Sequence, residues 1–230
     1  MKIRLVSFDL DGTLVDTAGE IAEAVHRAFD DLGIARRPQA EITRLIGRGT
    51  RELMLKLLAR VMLEEPALAE RVRPDAVLER FEHHYAETAG RFGQPYPGCV
   101  STLERLRDLG VRLVCVTNKE QRHAERVLAA TGLDGFFSML IGGDTLPVKK
   151  PHTGVIAHVL RHQGVSANHA AHVGDSSIDI ESARNAGVRA WAVPHGYNAG
   201  VPIEESHPDQ LFQNLPAIAD EVDALGLLQA

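Results

Sequence analysis

The chain reads as an α/β protein in which a parallel sheet carries an all-helical insertion. Three observations predict this. Short apolar runs alternate with helical patterns along most of the chain, the signature of a parallel sheet covered by helices. One long stretch after the first run breaks that alternation and holds helical spacing only. Finally, the polar clusters richest in chemistry each stand at the C-terminal end of an apolar run, the edge at which open α/β sheets bind ligands.

The elements follow in order. Residues 3–8 are short, rich in strand formers and stop at Asp9, so they read as a strand feeding a loop. Similar strands are expected at 111–116, 139–141, 170–173 and 189–193, with helices between them at about 99–109, 120–130, 154–162 and 178–186. Between 16 and 94, Ile21, Val25, Phe29 and Leu32 recur at helical spacing, then Leu53, Leu57 and Val61, then Val77, Phe81 and Tyr85, each an apolar helix face. Thr17 is placed to cap the first of these helices, with Glu20 completing a capping box. Pro95-Tyr96-Pro97-Gly98 is a stiff, turn-prone return. The expected architecture is therefore a Rossmann-like parallel sheet core, residues 1–15 and 95–230, with an inserted all-helical cap domain, residues 16–94.

Composition narrows the function classes. With 230 residues, 44% hydrophobic and 24% charged, the chain has the make-up of an ordinary globular protein. Its net charge of −6 offers no electrostatic footprint for nucleic acid. No apolar stretch approaches the length needed to cross a bilayer, and no signal peptide is visible, so a cytoplasmic location without a membrane partner is expected. Cys99 and Cys115 are too few for a disulfide framework and read as buried packing.

Four clusters carry the chemistry. In Asp9-Leu10-Asp11-Gly12-Thr13, two carboxylates just past a buried strand need charge compensation, which a cation supplies. One carboxylate there is placed to attack phosphorus, and the other to protonate a leaving oxygen and then activate water. Gly12 permits a tight turn that aims nearby N–H groups, with Thr13, at an anion. Thr117 and Asn118 follow the next strand, where a hydroxyl and an amide bind phosphate oxygens without adding charge; Asn118 also reads as a cap for the helix after it. Lys149-Lys150-Pro151 brings a cation, and the restricted geometry before proline favours Lys150 over Lys149 as the one facing the site. In Gly174-Asp175-Ser176-Ser177-Ile178-Asp179, both acids sit near a helix N-terminus, where negative charge is favoured. Magnesium takes a few hard oxygen ligands: Asp9 and Asp175 supply carboxylates and Asp11 its carbonyl. With three acids and one nearby lysine, a divalent cation is required for charge balance.

These four pieces, in this order, resemble the haloacid dehalogenase (HAD) superfamily. Its first motif, Asp-x-Asp-Gly-Thr, is matched by residues 9–13, its second by Thr117, its third by Lys150, and its fourth by Gly174, Asp175 and Asp179. The resemblance covers nearly the whole chain, including the helical cap. Dehalogenases of the superfamily lack the second acid, so the presence of Asp11 implies phosphoryl transfer. Asp179 is placed in a supporting role, orienting Lys150 or a metal-bound water. Within the superfamily the chain looks closest to phosphoglycolate phosphatases, through Phe8–Asp16, Ile46-Gly47-Arg48-Gly49, Gly142-Gly143-Asp144 and His195-Gly196-Tyr197-Asn198. A small phosphorylated substrate and Mg²⁺ follow as expectations. In the cap, Arg48 between two glycines is expected to meet a substrate carboxylate, and Thr50 to cap the helix after it. Sugar-phosphate phosphatases and phosphomutases of the same superfamily are the alternatives. His169 and His172 match no zinc signature, Trp191 reads as core, and His195 lies on the active edge.

Overall fold

The computed structural model describes residues 2–227. β1 (Leu5–Phe8) ends at the loop that begins with Asp9, and β2 (Val15–Asp16) leads into the helical insertion: α1 (Ala18–Asp31), α2 (Gln39–Thr43), α3 (Thr50–Glu64), α4 (Leu68–Arg71) and α5 (Pro74–Thr88). β3 (Gln94–Pro95) brings the chain back. The remainder is α6 (Cys99–Asp108), β4 (Arg112–Val116), α7 (Gln121–Ala130), β5 (Met139–Ile141), α8 (Thr153–Gln163), β6 (Ala170–Gly174), α9 (Ser177–Ala186), β7 (Arg189–Ala192), β8 (Gln210–Leu211) and α10 (Pro216–Leu227).

The main sheet has six strands in the order β5-β4-β1-β6-β7-β8, and every pairing is parallel. Its four central strands are buried on both faces, as the near-continuous apolar runs require, while the edge strands β5 and β8 are partly exposed. Side chains alternate accordingly. Val6, Phe8, Leu113 and Cys115 pack on one face with α6, α7 and α10, while Leu5, Val114 and Val116 pack on the other with α8 and α9. Cys99, Cys115 and Trp191 are core residues. The helical insertion has its own apolar cluster, running from Ile21 through Leu53, Leu57 and Phe81 to Ala89.

Two short elements stand where no strand was expected. β2 and β3 pair antiparallel, Val15 with Pro95 and Asp16 with Gln94, so the chain leaves the sheet and returns to it at adjacent points. Past the last expected strand, β8 and α10 extend the sheet and cover one face. The expected capping box at Thr17 is replaced. Its hydroxyl donates to Asp11 Oδ1 at 2.7 Å, and the start of α1 is capped from outside the helix. The Thr17 and Ala18 N–H groups donate to the Tyr197 hydroxyl at 2.8 and 3.0 Å, and that hydroxyl donates to Asp16. Glu20 turns instead to the Gly90 N–H at 2.9 Å. Among the described residues no helix is long and apolar enough to cross a membrane.

Candidate active site

The sheet register assembles the site. Phe8 of β1 is level with Cys115 of β4 on one side and Val173 of β6 on the other. Asp9, Thr117 and Asp175, one or two residues further on, therefore emerge side by side at the C-terminal edge, with strands about 4.8 Å apart. All three are buried.

Asp9, Asp175 and Asp179 bring carboxylate oxygens within 4.8 Å of one another. Lys150 closes the cluster, its Nζ 2.9 Å from Asp9 Oδ1 and 2.7 Å from Asp179 Oδ1. Asp179 is saturated: Oδ1 faces Lys150 and His172 Nε2, the latter at 3.3 Å, and Oδ2 accepts the Ser176 N–H at 3.1 Å and hydroxyl at 2.6 Å. Burial alone would raise its pKa, but Lys150 and the hydrogen bond to His172 overcome that and hold it well below the usual carboxylate range. Burial pushes the His172 imidazole below its ordinary value, and the ring is linked to Ser7 at 2.9 Å. Asp9 and Asp175 are in the opposite condition. Burial pushes Asp9 up to about 6 against the pull of Lys150, and burial, then the charges of Asp179 and Asp9, push Asp175 up to about 8. Asp9 Oδ1 is buried, and the Lys150 ammonium is the polar partner that faces it. Three buried carboxylates this close together, with the charge of Asp9 and Asp175 disfavoured by burial and by their acidic neighbours, fit a hard divalent cation.

Close packing explains two glycines. A Cβ on Gly174 would fall 2.1 Å from the Cβ of Asp179, and one on Gly12, whose φ is +85°, would fall 2.6 Å from Asp175 Oδ2. Gly12 and Thr13, expected on the phosphate, thus press on the acid instead, and the Thr13 hydroxyl donates to Asp175 Oδ1 at 2.9 Å. His195 supports this loop from behind, bonded to the Thr13 carbonyl at 3.0 Å, its ring tilted against that of Tyr96 at 4.0 Å.

A second group lies toward the cap. Asp9, Asp11, Thr117, Asn118 and Lys119 line a cleft whose other wall is Ile21, Ile46, Gly47, Gly49, Thr50 and Leu53. Its free volume is about 20 Å³, roughly the room of one water. The Asp11 carboxylate stands outside the acid cluster and pairs with Lys119 Nζ at 2.7 Å. Lys119 is buried, lies over the Tyr85 ring at 5.0 Å, and hydrogen-bonds the Tyr85 hydroxyl. Nearby acids hold it charged against its burial. The expectation of a single lysine near the acids is therefore corrected: there are two, one in each group. Lys119 was legible only as the third polar residue directly after a buried strand.

Asn118 is not a helix cap. Glu120 holds the position before α7, and the Asn118 amide donates to the carbonyls of Gly47 and Lys150, both at 3.0 Å, tying cap loop to core. Thr50 is likewise inside α3 rather than before it, and its hydroxyl donates to Glu120 at 2.6 Å. Arg48 does not line the cleft. Its side chain is half-exposed, 3.9 Å from Glu52, on a separate surface groove with Arg44, Lys56 and Ser177. Its flanking glycines put the backbone of this loop at the cleft and turn the long side chain outward. Lys149 is also exposed, donating to the Arg48 carbonyl at 2.5 Å.

A doubly wound sheet with paired acids after its first strand, a lysine bridging two acids and a helical cap over the edge defines a class. Residues 6–193 match the haloacid dehalogenase-like hydrolase family model, and the chain belongs to that family. Among its relatives, the phosphoglycolate phosphatase, plasmid, of Cupriavidus necator is 40% identical over 93% of this chain and 90% of its own length. A phosphoglycolate phosphatase of Haemophilus influenzae is 34% identical over 93% of this chain and 95% of its own. The crystal structure of a predicted phosphoglycolate phosphatase from Haemophilus somnus 129pt superposes with a TM-score of 0.90 at 30% identity, covering 96% of this chain and 98% of that one.

Proposed function

We propose that this phosphatase hydrolyses 2-phosphoglycolate to glycolate and phosphate through an aspartyl-phosphate intermediate. One observation carries the chemistry: Asp9 and Asp11, in different electrostatic surroundings, line the same small cleft. Asp9, packed against Lys150, is the nucleophile. Its carboxylate attacks phosphorus in line as the bond to the leaving oxygen breaks. Asp11 gives that oxygen its proton. It then takes one from the water that attacks the phosphoryl group and frees Asp9. Asp11 Oδ1 is occupied by Lys119 and the Thr17 hydroxyl, which leaves Oδ2 for the proton. Thr117 and Lys150 hold the transferring group. Asp9 and Asp175, with the Asp11 carbonyl, would hold Mg²⁺, which when bound supplies positive charge to the phosphoryl oxygens. Asp179 keeps Lys150 in place. A core of residues 1–15 and 95–230 with a cap of 16–94 lets the cap swing about the β2–β3 pair to admit substrate and close over it.

The named relatives support phosphoglycolate. Phosphate release from 2-phosphoglycolate, glycerol phosphate and hexose phosphates tests this. The highest kcat/KM is expected for 2-phosphoglycolate, with stoichiometric free phosphate, which a phosphomutase would not give. A tenfold preference for a sugar phosphate would remove the substrate assignment and leave the phosphatase standing.

A further inference from the structure

With Arg48 turned away, the recognition of a substrate carboxylate needs another cation. Among the described residues lining the cleft, Lys119 is the one positively charged side chain. Its side chain is fully buried, and a buried ammonium keeps its charge only where anionic partners reach it. Two of its three hydrogens are engaged, by Asp11 Oδ1 and by the Tyr85 hydroxyl, which leaves one for a ligand. Covalent geometry makes the connection. In 2-phosphoglycolate a single methylene separates the leaving oxygen from the carboxylate. If Asp11 protonates that oxygen, the carboxylate comes within reach of the cation bound to Asp11. On the facing wall Ile21, Ile46 and Leu53 are apolar and the Thr50 hydroxyl is already given to Glu120, so the position of Lys119 selects for charge on one side of a short linker.

We infer that Lys119, held by Tyr85, is the specificity-determining residue that binds the substrate carboxylate. This rests on the phosphoglycolate reading. The experiment compares kcat/KM for 2-phosphoglycolate with that for ethyl phosphate, which has a methyl group in place of the carboxylate, in wild type and Lys119→Met. Any loss that comes through Asp11 affects both substrates and cancels in their ratio. A fall in the ratio of about tenfold or more is expected, the worth of one hydrogen bond to a charged group, with Lys119→Arg retaining much of the preference. An equal fall for both substrates would show that Lys119 serves Asp11 alone and would overturn the inference. If wild type itself shows no preference, the phosphoglycolate reading fails and this inference with it. If wild type discriminates and Lys119→Met discriminates equally, only the assignment to Lys119 fails. Should Lys119→Met not fold or not turn over, Lys119→Gln in an Asp9→Asn background gives the same ratio as dissociation constants by calorimetry, and an unchanged ratio there again overturns it.

Discussion

The site has two halves, each built around a buried lysine and a carboxylate, and they differ in what holds them. Lys150 sits among Asp9, Asp179 and, through Asp179, His172 and Ser7. Every one of these comes from the sheet, the loops at its edge or the first turn of α9. Lys119 sits between Asp11 and Tyr85, with the buried Glu20 close enough to act on its charge. Tyr85 and Glu20 belong to α5 and α1 of the helical insertion. The Lys150 half is therefore complete within the sheet domain, whereas the Lys119 half is complete only with the insertion docked. On the proposed mechanism, such a division would keep Asp9 in place and complete the surroundings of Asp11 only when the cap is closed.

The comparison can be broken at several points. The largest effect is expected from Asp9→Asn, which should lower phosphate release by at least about 10³-fold, as loss of a nucleophile does, while circular dichroism stays unchanged; retained turnover would exclude covalent catalysis by Asp9. Chelation comes next. EDTA should abolish activity and Mg²⁺ restore it, with Ca²⁺ a poor substitute because it prefers more ligands and looser geometry. Full activity after exhaustive chelation would reject the metal site.

Lys150→Met should be strongly destabilising, because it leaves Asp9 and Asp179 buried without their cation. Breaking such a group costs on the order of 3–5 kcal/mol, measurable by urea unfolding. A loss below about 1 kcal/mol would mean the sheet-side half does not depend on its lysine.

Glu20 sharpens the other half through pH. Burial, with the charge of Asp11 adding to it and Lys119 opposing, pushes its carboxyl up to about 7. The folded chain thus holds this proton where the unfolded chain has released it, so stability from Glu20 is full below about pH 4.5 and is lost as pH rises through about 7. Glu20→Gln should flatten that slope, gaining on the order of 2 kcal/mol relative to wild type between pH 5 and pH 8. Parallel stability–pH curves would show that Glu20 is not held protonated. The smallest effect is expected at Arg48: its contact with Glu52 is exposed and worth at most about 1 kcal/mol, so Arg48→Ala should leave kcat/KM for 2-phosphoglycolate within about twofold. A larger loss would return this arginine to the ligand.

The sheet-side half was the more legible in the sequence: Asp9 and Asp175 directly follow buried apolar runs, and Asp179 falls in the same short motif as Asp175. Lys150 was distinguishable from Lys149 by the proline after it, and the structure buries Lys150 and exposes Lys149. The cap-side half was not legible, for a different reason in each case. Lys119 has the local look of a solvated loop residue, and only its partners in a distant helix bury it. Tyr85 was readable as an apolar helix position, and it is buried, but no periodicity reveals where a hydroxyl points. Thr17 and Thr50 both had the sequence of helix caps, yet each hydroxyl bonds an acid outside its own helix; a tertiary partner displaced the local one. Arg48 misled because two glycines signal a close approach of backbone and say nothing about which way the side chain between them faces. Beyond Tyr197 the elements are too short or too weakly patterned to read: β8 is two residues long.

The two-residue pairing of β2 with β3 has a consequence for how such a chain tolerates change. Residues 17–93 begin and end on neighbouring strands, so from the standpoint of the sheet they are one closed loop whose mouth stays narrow whatever it contains. The entropy of closing a loop grows only with the logarithm of its length, about 0.6 kcal/mol for each doubling. Helices can therefore be lengthened, exchanged or removed inside that mouth at little cost to the sheet, and what surrounds Lys119 can vary while the sheet edge stays where it is.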